Sequence, residues 1–220
     1  MKRVLVVFLL FAFALESHCQ TLRFEENKGQ WHRNIMYKAR LQEGALFVES
    51  DGLVFYLNDL KKHQVKEKNS AHAFKIRLNI PKKEKNIPKD EKIIPKDEKI
   101  IPKDEKIIPK SCFTDYSNYF KGKQEENWAS NVRAYEEVVY QNVFNEIDWR
   151  IYSKDGDVKH EFVVNPNGVA ESIALEYVGL DNIRLKGGEL VLKTCLGDII
   201  EEKPYAFQVI DGKEVEVKVE

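Results

Sequence analysis

Carboxylates are the side chains of this sequence that are best suited to catalysis. Glu25, Glu26, Asp148 and Glu161 are candidates for the paired acids of a glycoside hydrolase, which lie about 5–10 Å apart. The chain contains 36 acidic residues, however, so accidental pairs are expected. A hydrolase is therefore the most distant of three functional hypotheses, and we expect no catalytic residue.

Other catalytic and metal-binding patterns are incomplete. The sequence has no G-x-S-x-G nucleophile motif, no Cys-x-x-Cys and no His-x-His. The run 155–157 (DGD) lacks the later glycine and glutamate of a calcium loop, so it predicts a hairpin tip. His160 falls on the apolar side of an alternating run, which is typical of a core histidine. We expect no metal and no cofactor.

Aromatic side chains offer a second kind of chemistry, the stacking of sugar rings. Most aromatic residues of a β protein lie in its core, since each removes a large apolar area from water. A carbohydrate-binding module is therefore the alternative to our leading hypothesis. The candidate rings are Trp31, Tyr37, Tyr116, Tyr119, Phe120, Trp128 and Tyr152.

The first residues predict export. Lys2 and Arg3 precede twelve consecutive apolar residues, 4–15, and polar residues follow at once. This is the pattern of a secretory signal peptide, which we place at residues 1–19. The mature chain is then secreted or on the cell surface, with the periplasm also open, and no apolar run has the roughly 18 residues of a membrane-spanning helix.

Export leaves two cysteines, Cys112 and Cys195, in the mature chain. An oxidising compartment permits a disulfide between them. Free thiols in the core are an equal alternative, because cysteine packs as a small hydrophobe.

Strands must position these residues, since apolar side chains recur with period two. Phe74, Ile76 and Leu78 alternate with polar residues, as do Ile147, Trp149 and Ile151. Dipeptides such as Gly187-Gly188 and Asp211-Gly212 supply the positive φ of tight hairpins. The pattern predicts an all-β protein, an antiparallel β-sandwich, as one domain over residues 20–220. A helical turn or two is allowed only within residues 128–135.

A low-complexity insertion interrupts this domain. A seven-residue repeat begins at Glu84, and proline recurs at positions 88, 95, 102 and 109. Proline at this spacing breaks helices and removes ladder donors from strands. We therefore expect a long disordered Pro/Lys-rich loop over residues 82–110. Over the whole chain the charge is balanced, with 35 basic and 36 acidic residues, which argues against a nucleic-acid partner.

Several motifs of the mature chain resemble one known domain. The opening 26–31 (ENKGQW) is followed by 37–40 (YKAR), 118–122 (NYFKG), 128–135 (WASNVRAY) and 202–208 (EKPYAFQ). Together they resemble the N-terminal domain, of unknown function, of large secreted or cell-surface proteins from gliding, type IX-secreting bacteria. Those proteins often continue into SBBP (predicted β-propeller) repeats.

The resemblance implies structural rather than catalytic motif residues and suggests adhesion or scaffolding. We expect Gly29 in a turn, Trp31 anchoring the first strand in the core, and Trp128 and Trp149 filling space between sheets. Asp148 should bond a nearby backbone group or Arg150. The motif residues are Asn27, Gly29, Gln30, Trp31, Tyr119, Phe120, Gly122, Trp128, Tyr135, Asp148, Pro204 and Tyr205.

These observations favour an exported, non-enzymatic β-sandwich module with a structural, adhesive or protein-interaction role. Its expected partners are other surface proteins or downstream domains, with glycans as the alternative.

Overall fold

A computed structural model describes residues 5–12, 21–58, 70–80, 107–154 and 156–217. Two short 3-10 turns, Glu125–Asn127 and Ala170–Ser172, are the helical segments of these ranges. All other regular structure there is β. The strands are β1 Leu5–Ala12, β2 Phe24–Glu26, β3 Ile35–Leu41, β4 Gly44–Glu49, β5 Gly52–Asn58, β6 Ala71–Leu78, β7 Ile107–Tyr119, β8 Ala129–Phe144, β9 Ile147–Lys154, β10 Asp157–Val164, β11 Leu175–Val178, β12 Asn182–Lys186, β13 Glu189–Thr194, β14 Gly197–Glu201, β15 Tyr205–Ile210 and β16 Lys213–Val217.

The strands form where apolar and polar residues alternate, as the sequence predicts. In β6, Phe74, Ile76 and Leu78 are buried, whereas Lys75 and Arg77 between them are only partly so. A strand turns successive side chains to opposite faces, so each apolar set covers one side of the sheet. This confirms that the segment is a strand with one core-facing side.

Every ladder between the strands is antiparallel, and the main path runs β11-β6-β5-β4-β3-β2-β8-β9-β10-β1. From β1 it continues to β14, β13 and β12, while β15 and β16 extend the sheet beside β1. Strand β8 pairs with β2 near its middle, with β9 along its second half, and with β7. The sheet curls into a half-barrel, and the fold is all-β and sandwich-like, as predicted.

Tight hairpins connect the strands at the predicted turn dipeptides. Gly187 and Gly188 have φ of 64° and 93° between β12 and β13. Asp211 and Gly212, with φ of 51° and 77°, join β15 to β16. Gly156 has φ of 89° at the start of β10, and Asp155 beside it lies outside the described residues.

Trp149 is the centre of the core. Its fully buried ring stacks on Tyr140 at 5.0 Å and on Phe162 at 5.7 Å between centroids. The indole N–H donates to Nδ1 of His160 at 2.9 Å, so the core histidine accepts a hydrogen bond there. Trp149 fills the interior as the sequence predicts.

Two predictions about individual segments are wrong. Residues 129–135 belong to strand β8 rather than a helical turn, because Tyr135 pairs with both Phe24 of β2 and Cys112 of β7. The insertion also ends earlier than residue 110, since Ile107–Lys110 already pair with β8. Pro109 fits there because β7 pairs along one edge only among the described strands, where a missing N–H is tolerated. The rest of the insertion, residues 82–106, lies outside the described residues.

Residues 1–4 and 13–19 of the predicted signal peptide also lie outside the described residues, whereas residues 5–12 of its apolar run form β1. Within the described ranges, no helix is long and apolar enough to cross a membrane.

Candidate functional site

The opening motif folds into a loop organised by Asn27. Its Oδ1 accepts from the backbone N–H groups of Gly29 and Trp31 at 3.0 and 3.3 Å. Its Nδ2 lies within hydrogen-bond distance of the carbonyl oxygens of Trp31, His32 and Ile35, and is closest to Ile35 at 2.7 Å. Gly29 takes φ of 108°, a conformation that favours glycine, so it occupies a turn as predicted. One amide side chain therefore shapes the Asn27 loop, residues 27–35.

Gln30 and Lys28 fasten this loop to its surroundings. The Gln30 amide accepts from the Lys28 N–H at 2.7 Å and donates to the Glu26 carbonyl at 2.8 Å. Lys28 Nζ donates to the Asn131 carbonyl of β8 at 2.9 Å. Glu26 Oε1 accepts the Arg133 N–H at 2.9 Å. The first motif is thus hydrogen-bonded directly to the 128–135 motif, about a hundred residues away in sequence.

Trp31 lies beside Tyr119 and Lys38 rather than in the core. Its ring meets Tyr119 edge-on at 5.4 Å, and Lys38 Nζ lies 5.4 Å from its centre. Tyr119 donates its hydroxyl to Glu25 Oε2 at 2.6 Å. Burial raises the pKa of Tyr119, and the hydrogen bond with Glu25 raises it further. The predicted core position of Trp31 is therefore wrong; its ring is only partly buried, beside Tyr119 of β7 and Lys38 of β3.

The connection from β7 to β8 displays two large apolar rings. Phe120 is 60% exposed and Trp128 is 39% exposed, and their centroids lie 5.7 Å apart at an angle of 69°. Gly122, with φ of 79°, turns the chain between them. The prediction that Trp128 fills space between sheets is wrong, because it lies just before β8 begins. We call Trp31, Tyr119, Phe120 and Trp128 the aromatic end.

Cation–aromatic contacts lie farther along β7, beyond the aromatic end. Tyr116 is 53% exposed, and the Arg133 guanidinium lies 5.7 Å from its ring centre. Arg23 lies 4.1 Å from the Phe113 ring and pairs with Asp115 at 2.5 Å. Cations over aromatic faces are attracted by the ring quadrupole, which favours these contacts.

The remaining motif residues lie elsewhere in the sheet. Tyr135 meets Tyr37 edge-on at 6.1 Å, and burial with the nearby Tyr135 and Glu26 raises the pKa of Tyr37 to about 12. Asp148 Oδ1 accepts the Asn142 N–H at 2.8 Å, the backbone contact that the sequence predicts. Tyr205 is exposed on β15, directly after Pro204, and its ring lies 5.8 Å from that of Phe207. The structure therefore gathers the motifs 26–31, 118–122 and 128–135 and leaves Asp148, Pro204 and Tyr205 apart from them.

The candidate acids lie in three separate places, and Asp148, bonded to the Asn142 N–H, is apart from the other two groups. Glu25 and Glu26 on β2 accept hydrogen bonds from Tyr119 and Arg133, whereas Glu161 belongs to a cluster on β8, β9 and β10. In that cluster Arg150 donates two hydrogen bonds to Glu137 at 2.7 and 2.8 Å and pairs with Glu161 on its other side. Tyr152 donates to Glu161 at 3.2 Å. Sequence reasoning missed Glu137, since nothing in its local pattern marks the cross-strand pairing with β9.

The two carboxyls of this cluster have pKa values shifted in opposite directions. Burial dominates at Glu161 and raises its pKa despite the charge of Arg150. At Glu137 burial acts in the same direction, but the hydrogen bonds and charge of Arg150, with Lys110, outweigh it and lower the pKa. Arg150 lies between the two, so the arrangement is that of a cross-strand ion-pair network.

The two cysteines form no disulfide with each other, and neither thiol lies in the core. Cys112 on β7 and Cys195 in the β13–β14 turn are both free and exposed. Cys195 takes part in a polar contact instead, since its N–H donates to His72 Nδ1 at 3.3 Å. Across the described part of the chain, no three His, Cys, Asp or Glu side chains are grouped to hold a metal ion.

One known family matches most of the chain. Residues 24–220 match the family described as "Domain of unknown function (DUF7948)". The chain belongs to the DUF7948 family. The DUF7948 match begins at the first residue of β2, so it spans both the Asn27 loop and the aromatic end. No curated protein and no solved structure matches the chain.

Proposed function

We propose that this DUF7948 domain is an exported, non-enzymatic module that binds another surface or secreted protein through the aromatic end. The exposed pair Phe120 and Trp128 carries the proposal. Large aromatic side chains dominate the binding energy of protein interfaces, where they are covered by a partner and ringed by polar groups. Lys38, whose Nζ lies 5.4 Å from the Trp31 ring, and Lys28, which is bonded to the start of β8, are polar groups beside the aromatic end.

The framework behind these rings supports the same function. The Asn27 loop and the hydrogen bonds of Lys28 and Glu26 hold the start of β8 in place. A surface that is ordered before binding loses less conformational entropy on association. A preformed aromatic end therefore suits recognition of a folded partner.

Carbohydrate binding is the second candidate, on the evidence of the same exposed rings. A sugar stacks on an open, flat aromatic face, but Phe120 and Trp128 meet at 69° and offer no common plane. Protein contact is therefore favoured over sugar contact.

The acids support a non-enzymatic function. Glu25, Glu26, Asp148 and Glu161 each accept a hydrogen bond from a neighbouring group of the fold. We further propose, from the resemblance of the motifs, that the domain belongs to cell-surface proteins of gliding, type IX-secreting bacteria, with SBBP repeats among its relatives.

The test is binding of the purified fluorescent protein to intact cells of its source organism. We expect Trp128→Ala to weaken binding at least tenfold, as for an interface hot spot. The matched control is Tyr56→Ala, which removes a ring that is 41% exposed on β5 and should leave binding unchanged. Melting temperatures show whether both variants remain folded.

Treatment of the cells separates the two candidates. Protease treatment should abolish binding if the partner is a protein, and glycosidase treatment should not. Loss of binding only after glycosidase treatment would favour the carbohydrate alternative. Turnover of a polysaccharide that disappears in Glu161→Gln would contradict the non-enzymatic function.

A further inference from the structure

Strand β1 occupies an internal position of the sheet, although it comes from the predicted signal peptide. It lies between β10 and β15 and is antiparallel to both. Leu5–Leu10 pair with residues 159–164 of β10, and Leu5–Phe8 pair with residues 205–208 of β15. Removal of residues 1–19 would expose the backbone donors and acceptors of two strands at once. Unpaired strand edges of this kind accept an added strand.

The C-terminal end of β1 pairs with β14 beside a buried polar group. Phe11 is the partner of Glu201 on β14, and Leu9 is the partner of His160 on β10. With β1 in place Glu201 is fully buried, and its Oε2 accepts from the Tyr177 hydroxyl at 2.7 Å. Its Oε1 lies 3.8 Å from His160 Nε2 and accepts no hydrogen bond. A buried carboxylate oxygen without a donor is costly.

The resident sequence cannot correct this defect. Residues directly opposite each other in an antiparallel ladder share a face of the sheet, with Cβ atoms about 5 Å apart. The residue opposite Glu201 in β1 is a phenylalanine, which carries no hydrogen-bond donor. A strand with a lysine or arginine at that position would supply a hydrogen-bond donor for Glu201 Oε1.

We propose that the mature protein binds an extended segment of another polypeptide between β10 and β15, with a basic side chain opposite Glu201. The segment runs antiparallel to both strands and has about the length of β1, eight residues. Its residues opposite Phe162 and Val164 are apolar, because both are buried on the core-facing side. The inference rests on the predicted removal of residues 1–19 and is independent of the aromatic end.

The experiment uses the full chain, exported by a bacterial host, with its N-terminus read by mass spectrometry. The probe is a fluorescent peptide of eight residues, Val-Thr-Val-Thr-Val-Thr-Lys-Thr, which places apolar residues on the core face and lysine opposite Glu201. One control peptide has leucine in place of lysine. In a second control, valine and threonine exchange positions, so that the apolar face is reversed.

We expect saturable binding of the probe, about tenfold weaker binding of the leucine peptide, and no binding of the reversed peptide. Glu201→Gln should reduce the preference for lysine to about twofold or less. The two peptides can be compared on the unaltered protein, so the test holds even if this variant folds poorly. Trp128→Ala should bind the probe normally, which separates this site from the aromatic end.

Four outcomes would overturn the proposal. One is a mature chain that retains residues 5–12, since β1 would then be a permanent strand. A second is the absence of saturable binding, and a third is equal affinity for the lysine and leucine peptides. The fourth is a dimer that forms in proportion to concentration and excludes the probe, which would make a second copy of this chain the occupant.

Discussion

At the scale of single residues, side-chain amides and phenols fix the backbone through hydrogen bonds to its N–H and carbonyl groups. Asn27 satisfies both N–H and carbonyl groups of one short loop, as an Asx turn does in a more local form. Tyr140 plays a comparable part in the core, since its hydroxyl lies 2.6 Å from the Glu49 carbonyl and 2.9 Å from that of Gly52. Such polar groups fix one conformation because alternatives would leave them unsatisfied.

Asn27→Asp should destabilise the protein by about 1–3 kcal/mol, because it keeps the accepted bonds and loses the donated ones. Its new carboxylate would also face the carbonyls of His32 and Ile35. Asn34→Asp, an exposed change of equal charge in the same loop, should stay within about 0.5 kcal/mol. Urea unfolding measures both free energies, and equal effects would contradict the assigned role of Asn27.

At the scale of elements, close approach of neighbouring strands decides where glycine is required. Gly52 begins β5 with φ of 153°, and a Cβ there would lie 2.1 Å from the Ile76 carbonyl oxygen of β6. Gly197 begins β14 with φ of 132°, and a Cβ there would meet nothing within 4 Å. The two glycines share an unusual backbone conformation but differ in the space around them.

Gly52→Ala should therefore cost much more stability than Gly197→Ala. Backbone strain alone costs about 1–2 kcal/mol and applies to both variants. The clash with the Ile76 carbonyl must displace β6, so we expect Gly52→Ala to lose at least about 2 kcal/mol more. Thermal and urea unfolding would measure the difference, and similar losses would show that β5 and β6 can separate without cost.

At the scale of the whole molecule, several ionisable groups have pKa values raised on the basic side. Burial raises the pKa of Tyr37, Tyr152 and Tyr177, and nearby carboxylates add to the effect. Burial opposes the charged form of Lys75, but hydrogen bonds to Asp51 and Glu49 outweigh it and raise its pKa too. In each case the folded chain holds a proton that the unfolded chain releases at lower pH.

Stability should therefore fall as the pH rises above 10. The phenol of Tyr37 has an ordinary pKa of 10.0 and a folded value of about 12, so its contribution is complete below pH 10 and lost through pH 12. Melting temperatures between pH 8 and 12 should show this decline, and Tyr37→Phe should flatten it. Tyr56→Phe, which alters an exposed ring of β5, serves as the control. A decline of unchanged slope in Tyr37→Phe would contradict the assignment.

Much of the fold could be predicted because alternation and turn chemistry are local properties. The period-two runs through Phe74 and Trp149 became strands, and the Gly187 and Asp211 dipeptides became hairpins. The candidate site was less accessible to this reasoning. The motifs indicated which residues belong together, but Trp31 and Trp128 were assigned to the core on the average behaviour of tryptophan.

The amino-acid sequence by itself determined that this is an antiparallel all-β chain with an apolar N-terminus and a Pro/Lys insertion. Three features follow only from the tertiary structure: Trp128 is exposed, Arg150 joins Glu137 to Glu161, and β1 pairs with β14 at Glu201. The reason is that periodicity specifies which side of a strand is apolar, whereas burial and pairing depend on the strand that lies opposite.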